Sequence, residues 1–423
     1  MQIFFYSISI LGMAYFSLVK RRFDWFAVAF FSACIYFLPG FFGYTAYLTI
    51  AGWNEQPMND TAYKVMVLVE AAILSAALVN DLLTTDKGER IITESGRGNN
   101  RALAVLLSLA LFGLGMMLFT TGSAIFDVDK QSMMEELNRW HILFYTSAML
   151  GCVLAFECGN RAFFGSFCVL ILVDIFVGFR MTMALAGIGI ITLWLSKQGK
   201  QRLLLSSWKP LLGGAGVALF LFFYKQVQFA VKYGDAALLK DLIFDPATYT
   251  AMFTQSEPFI CQSTLNEITL QNYTVGMGHL MGVLYQFILF SPELGLETRS
   301  FNDLFQPDLF PEVDYGMANN IWAEMWSSGG WPLLLLFVIL FVLVLKLLSL
   351  LTENGRASQR AAVAVMASIW AFYIHRNDII YQIALEKRVL LVAALAFITA
   401  FFIKKYLVIP QRSLPGHSSG GES

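Results

Sequence analysis

The sequence predicts an all-α polytopic integral membrane protein with about eleven transmembrane helices and one large outer loop containing interfacial or re-entrant helices. Three observations lead there. The 423-residue chain is 57% apolar and only 14% charged, against roughly 45–50% and 25% in soluble proteins. Apolar runs approaching the ~20 residues of a bilayer crossing recur along it, separated by short polar patches. Its lysines and arginines also collect on alternate connections, the asymmetry that orients helical membrane proteins. A disordered, collagen-like or disulfide-framed secreted chain is excluded. The formal net charge of −1, from 29 basic and 30 acidic residues, supplies no field to gather nucleic acid. Cys34, Cys152 and Cys168 lie in apolar runs, Cys158 at a short turn and Cys261 in the long loop, with no disulfide or metal spacing.

Residues 3–19 form the first run, with no basic residue before it and Lys20, Arg21 and Arg22 directly after it. That order reverses a secretory signal, so the run reads as a retained helix that starts outside. Residues 25–45 form the second, which Pro39 and Gly40 interrupt in the manner of a broken or re-entrant element. Runs 65–83 and 102–119 flank a polar stretch carrying Lys87, Arg90, Arg97 and Arg101; runs 141–156, 163–179, 181–195 and 211–224 follow. After the polar segment 225–331, Pro332 opens run 332–351, where its missing N–H costs nothing, and runs 361–374 and 389–403 complete eleven. Threaded from an outside start, 18 of the 29 basic residues face one side. Leaving out the four in the long loop, the comparison is 18 against 7, which makes the first side cytoplasmic. The chain thus divides into an eight-span bundle (1–224), the outer loop (225–331), three further spans (332–409) and a disordered Gly/Ser-rich tail (410–423). Glycines inside the runs read as helix packing, not phosphate loops. Asp127 and Asp129 begin like a calcium loop, but Lys130 follows and the sixth position is not glycine, so no metal is expected there.

The long loop concentrates the chemistry. It holds twelve acidic residues against Lys225, Lys232, Lys240 and Arg299, with aromatics such as Tyr249, Phe259, Tyr273, Tyr315, Trp322 and Trp326. Carboxylates among aromatic faces suit sugars, although interfacial aromatics give the same composition. Residues 229–244 are amphipathic, and 280–290 is an apolar run too short to span. Charged residues at membrane depth are functional suspects. Glu70 reads as a packing or pore-lining carboxylate. Arg180, sharing an apolar run with Asp174, sits at the mouth of a tight outer hairpin, where it either snorkels or binds an anion. His375, Arg376, Asn377 and Asp378 follow another run at an outer helix end, as a solvated turn or as half of a diphosphate grip with Arg180. Asn320, Glu324 and Ser328 share one helical face, which Gly329 and Gly330 terminate.

These residues resemble the Wzy-type O-antigen and exopolysaccharide polymerases. The likeness rests on Phe179-Arg180-Met181, on the Glu-Pro of Ser256-Glu257-Pro258-Phe259 and on the glycine-led segment from Gly278 to Pro292. It rests also on the stretch from Ala318 to Gly330 and on Arg376-Asn377-Asp378 before the last span. It covers mainly 179–378. What the resemblance implies is a GT-C-type glycosyltransferase of the bacterial inner membrane, without cofactor or metal, whose active site faces the periplasm. Such an enzyme moves a growing glycan from its undecaprenyl diphosphate onto a newly flipped lipid-linked oligosaccharide repeat unit, alongside a flippase and a chain-length regulator. Arg180 and Arg376 are then the candidates to stabilise the leaving diphosphate. Glu324 and Glu257, followed by His375, are the candidate bases for the attacking hydroxyl, and Asp378, Arg299, His279 and Trp322 join the arginines as substrate-binding candidates. The alternatives are an O-antigen ligase or another lipid-linked glycosyltransferase with a different acceptor, and a flippase, which predicts internal symmetry and polar residues throughout the spans.

Overall fold

A computed structural model of the protein describes residues 1–20, 22–83, 99–122, 138–197, 208–249, 256–288, 296, 299–313 and 315–406. Lys87, Arg90, Arg97, Asp127, Asp129, Lys130, Pro292 and the tail 410–423 lie outside the described residues. Local chemistry sets the first elements. α1 (Gln2–Ala14) runs on through a π-turn (Tyr15–Val19). α2 (Trp25–Tyr36) is capped by Asp24, which accepts from the Ala27 amide at 3.1 Å and pairs with Lys20 at 3.0 Å.

At this point the chain departs from the expected second span. Proline cannot extend an existing helix, so the backbone restarts around Pro39 as the short α3 (Leu38–Phe42) and turns at Gly43, where φ is +80°. It then forms a hairpin of β1 (Tyr44–Thr49) and β2 (Gly52–Pro57), antiparallel, with Tyr44 opposite Pro57 and Thr49 opposite Gly52. The 12-residue α2 rises only ~18 Å, so run 25–45 is not one crossing helix. Among the described residues the fold is all-α apart from this hairpin.

The next helices are α4 (Asp60–Leu83), α5 (Asn100–Thr121), α6 (Arg139–Glu157), α7 (Arg161–Val177), α8 (Met181–Lys197) and α9 (Trp208–Tyr233). Asn138 and Asn160 cap α6 and α7. After them come α10 (Ala236–Phe244), α11 (Glu257–Leu270), a 3₁₀ turn (Gly278–Leu280), α12 (Met281–Tyr285) and α13 (Phe301–Leu309). The chain closes with α14 (Ile321–Asn354), α15 (Ala357–Ala371), a second 3₁₀ turn (Tyr373–Arg376) and α16 (Ile379–Tyr406). Among the described residues, five helices are long and apolar enough to cross a membrane: α1 with its π-turn, α4, α5, α6 and α14. The fold is that of an all-α membrane protein in outline, and the expected eleven crossings exceed those five.

The central helix is α6, buried from Phe144 to Ala155 and packed by α5, α7, α8, α15 and α16. Glycine makes these approaches close: a Cβ on Gly113 of α5 would lie 2.8 Å from the Phe144 amide nitrogen, and one on Gly151 2.2 Å from the Phe167 ring. At one end of the bundle Glu157 binds Lys197 at 2.8 Å and Arg360 at 3.0 Å, joining α6, α8 and α15. Both cations were assigned to the same side by charge counting. The opposite end gathers Arg180, Glu257 and Arg376.

Much of segment 225–331 folds back onto the helices. α9 continues to Tyr233, nine residues past the expected end at 224. α11 is polar in sequence yet buried from Pro258 to Thr269 except at Ile260, packed on α2, α4, α14 and β1. Around α12, Met281, Leu284, Phe287 and Ile288 are exposed, as an interfacial segment would be. In α14 the helix breaks at Gly329 (φ −157°) and Gly330 (φ +62°, ψ −156°), and Pro332 starts the second limb. The first limb thereby carries Glu324 away from the apolar limb.

Candidate functional site

Two polar clusters meet at the turn between α15 and α16. In the first, Arg376, on the 3₁₀ turn, pairs with Glu257 at the start of α11 and lies 4.8 Å over the Tyr373 ring. Glu257 precedes Pro258 in the first helical turn, where a carboxylate faces free backbone N–H groups. Arg180 joins from the α7–α8 hairpin, within electrostatic reach of Glu257, Arg376, Tyr373 and Tyr36. Burial lowers the Arg180 pKa and Arg376 adds to that, against the opposing pull of Glu257. Arg376 is also disfavoured by burial, but the Glu257 carboxylate outweighs this and holds its pKa well above the ordinary value. Arg376 is thus paired with Glu257, and Arg180 lies within electrostatic reach of both.

The hairpin bearing Arg180 is fixed from below. Asp174 accepts from Thr182 at 2.5 Å and meets His141 Nε2 at 2.8 Å, all three buried, while the His141 and Phe179 rings lie 4.5 Å apart. Asp174 is thus a brace for the hairpin. Glu70 likewise serves packing: it accepts from Ser9 at 2.6 Å and contacts the Cys34 thiol.

In the second cluster Glu324 is fully buried. Its Oε2 accepts from the Ile379 amide at 2.8 Å, and its Oε1 lies 3.0 Å from His279 Nε2. His279 Nδ1 lies 3.1 Å from the Gly276 carbonyl oxygen, which can only accept. Nδ1 therefore carries a proton here, and a further proton is shared between Nε2 and Glu324. Burial opposes charge on His279, but the hydrogen bond and charge of Glu324 outweigh it and raise the pKa above the ordinary histidine value. His279 and the exposed Arg299 line a cleft of ≈ 220 Å³ with Gly278, Met281, Gly282, Tyr285 and Leu304. Asp378 caps α16 through the Tyr381 amide at 2.6 Å, and its other oxygen accepts from the Phe301 amide and Asn319, each at 3.1 Å. It holds the start of α13 and the approach to α14 against the start of α16, and burial raises its pKa.

The run from His375 to Asp378 therefore splits into four tasks. His375 is fully buried, accepting from Trp322 Nε1 at 3.1 Å and stacked 5.5 Å from Tyr36. Burial lowers its pKa to about 3, so the ring is neutral. Trp322 is fully buried with it. The candidate base His375 and the candidate binder Trp322 are thus enclosed as a pillar between α14 and the 3₁₀ turn. Asn377 donates to Gln382 at 3.3 Å. The structure unites Arg180, Arg376 and Glu257 in one cluster, and Glu324, His279, Asp378 and Arg299 in its neighbour.

The sequence reading missed the His141–Asp174–Thr182 brace and the pairing of His279 with Glu324, which lie 33 and 45 residues apart at their histidine–carboxylate contacts. Asp174 carried a signal as a carboxylate in an apolar run, and Glu324 and His279 were separate candidates, but nothing in the sequence joined the partners. Among the described residues no three His, Cys, Asp or Glu side chains gather as a metal site. Comparison of the chain with family models, curated proteins and solved structures found no match.

Proposed function

We propose that this protein polymerises lipid-diphosphate-linked oligosaccharide repeat units at the outer face of a bacterial inner membrane, as the Wzy-type resemblance implies. The observation that carries the reading is that Arg376 pairs with Glu257 while Arg180, from a separate helix end, lies within electrostatic reach of both. A departing prenyl diphosphate carries charge that needs fixed, desolvated cations, and two guanidinium forks supply them. The neighbouring Glu324–His279 pair supplies the proton acceptor. In its working form Glu324 accepts from His279 Nε2–H, and Nδ1 gives up its hydrogen bond to the Gly276 carbonyl to become the acceptor. The acceptor sugar hydroxyl then attacks the anomeric carbon of the donor's first sugar. Its proton passes to Nδ1, the bond from that carbon to the diphosphate oxygen breaks, and the diphosphate leaves into the arginine cluster. Glu257 orients Arg376, and Arg299 in the cleft binds sugar or phosphate oxygens.

The test uses purified protein in nanodiscs with the diphosphate-linked repeat unit as sole substrate. A ladder of products spaced by one repeat supports the reading. Transfer that occurs only after lipid A core is added would make it a ligase and overturn polymerisation.

A further inference from the structure

We propose that Lys387 and Arg388 of α16 form a second lipid-diphosphate station, holding the substrate that stays attached to its lipid. The proposal rests on the polymerase reading, which requires two prenyl diphosphates at once while the Arg180–Arg376 cluster holds only the leaving one.

Charge balance marks this adjacent pair. Lys20 is matched by Asp24 and Asp81, Arg360 by Glu157, and Arg376 by Glu257. Among the described residues no carboxylate lies within ion-pair distance of Lys387 or Arg388, and the adjacent Glu386 is buried with both oxygens unbonded. Two half-buried neighbouring cations repel each other, and a bound dianion removes that repulsion.

The side chains are also held in place. Lys387 Nζ donates to the Gln286 carbonyl at 2.8 Å and to its side-chain oxygen at 3.1 Å. Arg388 Nη1 donates to the Tyr145 hydroxyl at 3.1 Å, and its guanidinium lies 5.9 Å from the Tyr381 ring centre. Arginine has five N–H donors and lysine three, so these contacts leave donors for phosphate oxygens. A snorkelling residue needs no such restraint.

Placement along the chain points to a lipid headgroup as the ligand. Lys387 lies eight residues into α16 from Ile379, a rise of ~12 Å, directly before the apolar run 389–403. Its partner Gln286 follows the exposed Met281 and Leu284 and precedes the exposed Phe287 and Ile288. Tyr373, beneath Arg376, is within electrostatic reach of both Tyr381 and Tyr145, so the two cationic stations are linked along one face.

The experiment titrates undecaprenyl diphosphate into the full-length protein in nanodiscs and counts bound lipids by native mass spectrometry. Two per wild-type chain are expected, one in Lys387→Gln/Arg388→Gln, and none when Arg180→Gln and Arg376→Gln are added. Tyr145→Phe, which removes only the restraint on Arg388, is expected to weaken the second binding event by about 3- to 10-fold, the worth of one hydrogen bond. A single bound lipid in wild type, or two retained in the double variant, overturns the station. So does equal occupancy by inorganic diphosphate or by phosphatidylglycerol, which would make it a general anion site. If two lipids bind as described but wild type forms no ladder, the polymerase reading fails while the two-site finding stands.

Discussion

Replacing Glu324 by glutamine should abolish polymer growth while leaving the fold intact, and the hydrogen-bond inventory shows why. In Glu324→Gln the amide oxygen still accepts from the Ile379 N–H, and the amide nitrogen donates to His279 Nε2 in place of the shared proton. His279 then keeps its remaining proton on Nδ1, bonded to the Gly276 carbonyl. Every group that was paired stays paired, but neither ring nitrogen can accept the hydroxyl proton. A histidine locked in the wrong tautomer costs ~10⁴ in triad-type sites, and loss of a positioned base ~10²–10⁴ in general. A fall of that size in single-turnover rate is expected with nearly unchanged melting. Glu324→Ala instead strands the buried Ile379 N–H and the imidazole, at about 1–3 kcal/mol for each unpaired group, and should melt earlier. The assay is gel-resolved extension of a purified lipid-linked repeat unit, with melting followed by tryptophan fluorescence. Wild-type rates in Glu324→Gln at normal melting would refute the reasoning.

Because Glu324 raises the His279 pKa, the base form appears only as pH climbs through that raised value; the wild-type rate should therefore rise with pH through a midpoint above the ordinary ~6.5, and a flat profile from pH 5 to 9 would count against His279. Arg180→Lys and Arg376→Lys keep charge but lose the planar fork, so each should slow polymerisation on the order of tenfold or more, the equivalent of ~1.4 kcal/mol; full activity in both would return these arginines to a packing role. Trp322→Phe removes the hydrogen bond to His375 inside the enclosed pillar, and should lower stability by about 1–3 kcal/mol with little change in rate per folded molecule. For topology, single cysteines at the exposed Pro307 and Asn354 in a cysteine-free background should label from opposite sides of sealed vesicles, and labelling from one side would refute the threading.

Features governed by local chemistry were legible in the sequence. The glycine pair before Pro332 marked the break in α14; of the expected face Glu324 and Ser328 are helical while Asn320 is the extended N-cap, and of the glycines read as helix packing Gly113 packs closely whereas Gly115, Gly187, Gly213 and Gly216 face open space. Run 25–45 breaks at Pro39 and Gly40, where the sequence marked an interruption, but the hairpin was not legible because hydropathy does not distinguish a helix from a short strand. Tyr44, Thr45, Tyr47 and Thr49 favour pleated structure, and Gly52, with φ +122°, starts the returning strand, so the signal lay in residue type and not in polarity. The buried polar α11 was invisible for the opposite reason: its sequence reads as solvent-exposed, and only packing by the surrounding elements encloses it. At the site, residue types pointed to candidates but not to their partners. Nothing local in His375 and His279 indicates that one is sealed against Trp322 and the other faces a cleft.

The central claim is that the arginine cluster takes up a departing lipid diphosphate each time a glycosidic bond forms. It is tested most directly by counting, in one reaction with purified wild-type protein, lipid-linked repeat unit and excess EDTA, the free prenyl diphosphate released against the repeats added. The account predicts one released per bond, undiminished by the chelator. Chain growth without diphosphate release, or growth that EDTA stops and magnesium or manganese restores, would contradict it.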